Sequence, residues 1–201
     1  MKAIRLGIIF LIAAVLLSAQ TVHLGQHVYF NDEGAIDIAA DASLAVQRLD
    51  QNYVPFVLFM GMALDQKKVA AIPRENVVMI YKDQEYHLPA LSDFRKEYRR
   101  DGADAKLYER FFAGVESLVG SKLRHYRFRL QNQFYPSRSS GALATNEGSV
   151  SGTIGFVTFA YFKNPGFQIG DQVTIKVFDK KDPEIWGSVV VEFRGQTDLS
   201  H

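Results

Sequence analysis

The sequence predicts a mainly β protein, a β-sandwich of about eight strands that carries a helical insertion. Three observations lead to this fold class. Short segments alternate apolar and polar residues, turn-forming residues separate them, and residues 89–120 change to the spacing of a helix. Strands at short spacing with turns between them are typical of sandwiches. An α+β fold is the alternative, because the insertion adds helix to a sheet protein.

The N-terminus has the three parts of a secretory signal peptide. Lys2 and Arg5 flank the start of an apolar run over 6–17, and the small residue Ala19 comes before a polar one. A spanning helix needs about 20 apolar residues, and this run is shorter. We therefore predict a signal peptide over 1–19, a secreted or periplasmic protein, and no stable transmembrane segment in the mature chain. An uncleaved membrane anchor is the alternative.

Length and composition place the rest of the chain in one domain. The chain has 201 residues and no cysteine, so we predict a single domain over 20–195 and a frayed tail over 196–201. Without thiols, the fold depends on packing, and thiol catalysis and thiolate metal sites are excluded. Without the leader, 21 Lys and Arg stand against 22 Asp and Glu. This near-neutral balance gives no global attraction to nucleic acid.

The first half of the mature chain has a strand pattern. We predict strands over 26–30 and 36–40, a short helix over 43–49 with a strand there as the alternative, and a hairpin of 77–81 with 85–88. The most apolar segment is 53–64. Apolar residues occupy both parities of that segment, so we expect a strand that is covered on both faces.

The helical insertion is predicted as two helices. Ser92 caps the first, and Asp101-Gly102 interrupts the pattern. Asp104 caps the second, whose apolar stripe continues to Gly120, where we expect the helix to end.

The β pattern then returns for the rest of the domain. We predict strands over 122–130, 149–162, 173–177 and 186–193, and a mobile loop over 136–148 that is rich in Ser, Gly and Asn. The last two strands and their short charged turn resemble the terminal hairpin of immunoglobulin-like bacterial domains. That resemblance implies an immunoglobulin-like sandwich.

Four residues are candidate metal ligands, because imidazole and thioether groups suit copper. They are His23, His27, Met60 and Met62. Alternation along a strand places the two sulfurs on one face. The alternative interpretation is that both methionines continue the apolar core stripe of their strand. Copper is therefore a possible cofactor, and the sequence indicates no other.

Basic residues are concentrated between 94 and 138, where eleven Lys and Arg accompany five Asp and Glu. Two groups within this range, one along a helix and one along a strand face, together form one candidate anion- or partner-binding surface, with Lys122 and Arg138 nearby in the sequence. The two groups are Arg95, Arg99 and Arg100, and His125, Arg127 and Arg129. The alternative is a solvated surface with local ion pairs. The partner would be a protein, glycan or lipid of the cell envelope.

The sequence carries no catalytic motif. It has no Gly-x-Ser-x-Gly, no His-Glu-x-x-His and no phosphate-binding glycine loop. We therefore predict an exported binding or scaffold module of the cell envelope that acts through its surface and helical insertion. A periplasmic copper-binding protein is the alternative. A hydrolase whose site forms only in three dimensions, around His87 or His125, is the second alternative.

Overall fold

The computed structural model describes residues 21–63, 68–138 and 140–195. The predicted signal peptide and tail, and Leu64 of the predicted strand 53–64, lie outside the described residues. Within them the protein is mainly β, as predicted. The chain forms two antiparallel sheets that face each other, with helices concentrated in one insertion. The finer expectation of an immunoglobulin-like arrangement stays a prediction.

The described part of the chain contains fourteen strands and three α-helices. In chain order the elements are β1 (Val22–Gly25), β2 (Val28–Asn31), β3 (Ile36–Asp41), α1 (Ser43–Val46), β4 (Tyr53–Met62), β5 (Val69–Pro73), β6 (Val77–Tyr81), β7 (Gln84–His87), α2 (Leu91–Glu97), α3 (Asp101–Leu123), β8 (Arg127–Arg129), β9 (Asn132–Gln133), β10 (Leu143–Ala144), β11 (Glu147–Ser151), β12 (Ile154–Lys163), β13 (Gln172–Phe178) and β14 (Trp186–Glu192).

The larger sheet contains eight strands in the order β1-β2-β3-β4-β12-β11-β5, and β8 pairs in parallel with the start of β12. The smaller sheet has the order β14-β13-β6-β7. Strands β9 and β10 form a separate two-stranded ribbon. The structure has more strands than the predicted eight because several of them are only two to four residues long. Such short segments show no clear alternation of apolar and polar residues.

The two sheets come into close contact where β14 begins. A Cβ added at Gly187 would lie 2.4 Å from the carbonyl oxygen of Ile36, and one added at Gly34 would lie 2.2 Å from that of Trp186. Each glycine therefore faces the backbone of the other sheet at a distance that no side chain permits. The pair of glycines fixes how tightly β14 lies against β3.

The central strands β4 and β12 are buried on both faces, as the two-sided apolar pattern predicts. One face meets the smaller sheet, where the rings of Phe56 and Phe193 lie 6.0 Å apart. The other face meets the insertion and the segment after it. There Tyr53 contacts Phe94 of α2 at 5.5 Å, and Phe59 contacts Phe128 at 5.4 Å between ring centroids.

The helical insertion differs from its prediction in its boundaries. Asp101-Gly102 does not break it; these residues form the first turn of α3, and Asp104 lies inside that helix. Gly120 does not end α3, which continues to Leu123. The helix continues because Val119 and Leu123 are both buried against the sheet, and burial outweighs the roughly 1 kcal/mol cost of one glycine.

Three strand predictions are wrong in detail. The predicted strand 26–30 begins only at Val28, as β2, because Gln26 adopts a positive φ of 49° and lies in the turn that follows β1. The predicted strand 149–162 is the hairpin of β11 and β12, which turns at Gly152 with φ 44°. The predicted strand 122–130 is reduced to β8, because α3 extends to Leu123. Part of the predicted 136–148 loop is strand β10.

Asp104 links α3 to three other parts of the fold. Its carboxylate is fully buried, and Oδ1 accepts a hydrogen bond of 2.8 Å from Nε of Arg48. Oδ2 accepts the hydroxyl of Tyr98 at 2.7 Å and lies 3.5 Å from that of Tyr161. One carboxylate therefore ties α3 to the segment after α1, the end of α2 and β12.

No helix among the described residues is long and apolar enough to cross a membrane.

Candidate functional site

A cavity of about 480 Å³ lies between α3, the larger sheet and the segment after β8. We call it the helix cavity. It is lined by Val57, Ala105, Tyr108, Glu109, Phe112, Leu130, Gln131, Gln133, Ser137, Ser140, Gly141, Ala142, Val157, Thr158 and Phe159.

The helix cavity is walled mainly by apolar side chains. Val57, Val157 and Phe159 come from the central strands, on the face that the insertion covers. Tyr108 of α3 packs edge-on against Phe159, with 5.6 Å between ring centroids. The hydroxyl of Thr158 is already used, because it accepts the amide of Phe134 and donates to the carbonyl of Phe159. The interior of the cavity therefore suits a hydrocarbon group.

An exposed leucine lies at the edge of the helix cavity, and a second one follows a lining residue. Leu130 lines the cavity and is 52% exposed, and Leu143, which follows the lining residue Ala142, is 69% exposed. The amide of Leu143 donates to the carbonyl of Gln131 at 2.6 Å, so the two strands of this rim are held together. An apolar rim beside an apolar cavity is typical of a binding site for an apolar ligand.

A second depression, of about 640 Å³, lies at the start of α3. We call it the cationic depression. Its lining residues are Arg95, Arg99, Asp101, Gly102, Ala103, Lys106 and Arg138. Arg95 is half-buried, donates through Nη2 to the carbonyl of Pro136 at 3.3 Å, and has a buried Nε with no hydrogen-bond partner in the described part of the chain.

The helix cavity and the cationic depression are neighbours. Ala105 lines the first and Lys106 the second, and these are consecutive residues of α3. Ser137 and Arg138 are divided between them in the same way. The apolar cavity and the positively charged depression therefore meet at Ala105-Lys106 on α3 and at Ser137-Arg138 on the loop.

Comparisons of the chain with protein-family models, curated proteins and solved structures find no match.

The structure places the predicted basic residues in three locations. Arg95 and Arg99 line the cationic depression, where Arg138 and Lys106 join them. Arg100 borders a different, smaller depression, which Arg99 also lines together with Asp50 and Glu97.

The other basic group lies beyond the far end of α3. Arg127 and Arg129 are exposed on β8. The ring centroids of His125 and Tyr126 lie 4.0 Å apart, with the ring planes tilted by 46°. The helix has 23 residues, which corresponds to about 34 Å. The two predicted groups therefore do not form one surface.

The candidate metal ligands are also separated. Met60 and Met62 are fully buried and pair in register with Ile38 and Ile36, as expected for a core stripe. His23 lies on β1, three strand spacings from β4, which is about 14 Å. Among the described residues, no group of three or more His, Asp and Glu could hold a metal ion. Copper binding stays a prediction.

The two histidines near the N-terminus lie in a positively charged environment. The ring of His23 is hydrogen-bonded through Nε2 to Gln26 at 2.8 Å, and its Nδ1 lies 3.2 Å from the Arg194 guanidinium. Burial, His23 and Arg194 together lower the pKa of His27. A nearby guanidinium disfavours a bound cation.

The histidines considered for hydrolysis lie outside both depressions. His87 is exposed on β7, 3.8 Å from the exposed carboxylate of Glu85. His125 has a buried Nε2 with no hydrogen-bond partner in the described residues. Neither lines the helix cavity or the cationic depression.

A buried polar pair lies behind the helix cavity. Oδ1 of Asp41 accepts two hydrogen bonds from Ser43, at 2.8 Å from the amide and 2.6 Å from the hydroxyl. Oδ2 faces Tyr108, but neither Oδ2 nor the tyrosine hydroxyl makes a hydrogen bond of ordinary geometry within the described chain. Burial raises the pKa of Asp41, and the hydrogen bonds from Ser43 offset only part of that effect.

This raised pKa predicts that Asp41→Asn is more stable than the wild type at pH 7. The folded protein holds a proton on Asp41 above the ordinary pKa of 3.8, so wild-type stability falls as pH rises from 3.8 through the folded-state pKa. The asparagine keeps the acceptor for Ser43 and does not titrate. Urea unfolding from pH 3 to pH 8 should show the stability difference increasing with pH and then levelling off.

Asp171→Asn is the matched control with the opposite sign. Burial acts to raise the pKa of Asp171, but hydrogen bonds from the Gln168 amide and the Tyr81 hydroxyl outweigh it and lower the pKa. This variant should therefore be less stable than the wild type at pH 7, and the difference should shrink as pH falls below 3.8. A pH-independent difference for Asp41→Asn would contradict the assignment.

Proposed function

We propose that the protein is an exported binding module of the cell envelope that takes the apolar part of a ligand into the helix cavity. The observation that carries this proposal is the apolar cavity of about 480 Å³ with Leu130 exposed at its rim. Export is inferred from the signal-peptide pattern of residues 1–19.

The cavity has the properties of a ligand site. Its volume lies within the range of about 300–1,000 Å³ that is usual for small-molecule pockets. Apolar side chains form most of its walls, and polar groups such as Gln131, Gln133 and Glu109 lie among them. Burying an apolar ligand there is favourable by about 25 cal/mol per Å² of apolar surface removed from water. The helical insertion thus provides one wall of the site.

Ala105→Phe should weaken the binding of an apolar probe by on the order of tenfold or more, because the added ring would occupy the cavity. The probe is N-phenyl-1-naphthylamine, whose fluorescence increases in apolar surroundings. Titration of the purified protein measures its dissociation constant. Ala113→Phe is the matched control, because Ala113 lies on the same helix but is exposed and does not line the cavity.

The two variants separate cavity filling from a general effect of phenylalanine on α3. Equal loss of binding in both, or no probe binding by the wild type, would contradict the proposal. Thermal unfolding of each variant establishes that it is folded at the temperature of the titration. The export part is contradicted if protein isolated from its native cells retains residues 1–19 in its intact mass.

A further inference from the structure

We propose that the ligand is an amphiphile with an anionic head group, whose tail enters the helix cavity and whose head binds in the cationic depression. This inference rests on the proposed function and adds the chemical class of the ligand. Its basis is the juxtaposition of the two depressions across Ala105 and Lys106.

The first argument is charge. Four cationic side chains, Arg95, Arg99, Lys106 and Arg138, line the depression with one carboxylate, that of Asp101. Across the described residues, no carboxylate lies within ion-pair distance of these four cations.

Two other cations near the depression are paired with carboxylates. Lys96 of α2 lies 2.8 Å from Asp93, and Arg48 lies 2.8 Å from Asp104. Unpaired like charges repel one another, and an anion placed between them removes that repulsion. Guanidinium groups also bind carboxylate and phosphate in a bidentate manner.

The backbone adds to this preference. Asp101, Gly102 and Ala103 form the first turn of α3, and the residue before it, Arg100, provides no side-chain cap. The first amides of a helix lack intrahelical partners and carry partial positive charge. An anion in the depression is therefore favoured both by the four side chains and by the end of the helix.

The second argument is continuity. Each boundary between the two depressions is a single peptide unit, Ala105-Lys106 on the helix and Ser137-Arg138 on the loop. Gly102 of the depression and Ala105 of the cavity are three positions apart and so share one face of α3. A Cβ at Gly102 would lie 3.7 Å from Oγ of Ser137, which lines the cavity, so one molecule with a polar head and a hydrocarbon tail can reach both. An anion alone leaves the cavity and the Leu130 rim unexplained, and a neutral apolar molecule leaves the charges unexplained.

The test compares twelve-carbon ligands that differ only in the head group, below their micellar concentrations. Isothermal titration of the purified protein should give on the order of tenfold tighter binding for dodecyl phosphate and laurate than for dodecyl maltoside. The double variant Arg99→Gln, Arg138→Gln should lose this preference and still bind N-phenyl-1-naphthylamine. Arg127→Gln, Arg129→Gln is the control, because it removes equal charge at the other end of α3.

The outcomes distinguish this inference from the proposed function. Equal affinity for charged and neutral heads, with the naphthylamine probe still bound, would overturn the inference alone. Absence of probe binding would overturn both. Inorganic phosphate or an acidic peptide that binds as tightly as dodecyl phosphate would also overturn the inference, because the tail would then contribute nothing. The ratio of laurate to dodecyl phosphate affinities distinguishes a carboxylate head from a phosphate head.

Discussion

Asp104→Ala should lower the free energy of unfolding by about 3–5 kcal/mol, as expected when one partner of a buried ion pair is removed. Arg48, whose side chain is only 15% exposed, would keep its charge without a counterion. The hydroxyls of Tyr98 and Tyr161 would lose their acceptor in the same change. Chemical denaturation followed by circular dichroism measures the loss.

Asp93→Ala is the matched control for this substitution. Asp93 also pairs with a cation, Lys96, at 2.8 Å, but the two side chains are 58% and 74% exposed. Exposed ion pairs contribute about 0–1 kcal/mol, so the free energy of unfolding of this variant should be close to that of the wild type. Similar losses in both variants would show that the Asp104 network does not anchor α3.

Gly187→Ala should lower the free energy of unfolding by about 3 kcal/mol, the upper end of the usual cost of overpacking. The new methyl group would lie 2.4 Å from the carbonyl oxygen of Ile36. Backbone atoms cannot rotate away as a side chain can, so β14 and β3 must separate. Thermal and urea unfolding of the variant measure this cost.

Gly120→Ala makes the same chemical change where there is space. No atom lies within 4 Å of a Cβ at that position of α3, and alanine favours a helix over glycine by about 0.5–1 kcal/mol. This variant should therefore be more stable than the wild type. A Gly187→Ala protein as stable as Gly120→Ala would contradict the close approach of the two sheets.

The strands that could be predicted from the sequence are those whose environment is uniform along their length. Strand β4 is buried on both faces, and its sequence is apolar in both parities. The hairpin at Gly152 was missed because the strand before the turn, Glu147–Ser151, has Val150 as its one apolar side chain and so shows no strand pattern of its own. The end of α3 was misplaced because Gly120 suggested a stop, whereas burial of Leu123 extends the helix.

The candidate site was only partly accessible from the sequence. Clustering along the chain identified Arg95 and Arg99 but grouped them with Arg127 and Arg129. A helix is predicted between the two groups, but the sequence does not show how that helix lies on the sheet, and therefore which basic residues it brings together. The fold brings Arg138 back to the start of α3. The apolar residues that line the helix cavity are of the same types as those of the core, so the sequence does not distinguish the two. One usable feature was Leu143, an apolar residue within a polar, Gly- and Ser-rich segment.

The pairing of β4 with β12 has a consequence for how the chain folds. Tyr53 pairs with Lys163, so the centre of the larger sheet joins residues about 110 positions apart and gives the fold a high contact order. Sheets dominated by such distant pairs fold in about milliseconds to seconds. The helices between these strands can form from local contacts well before the sheet closes. If the leader directs export as proposed, this late closure helps keep the chain extended until residue 163 has crossed the membrane.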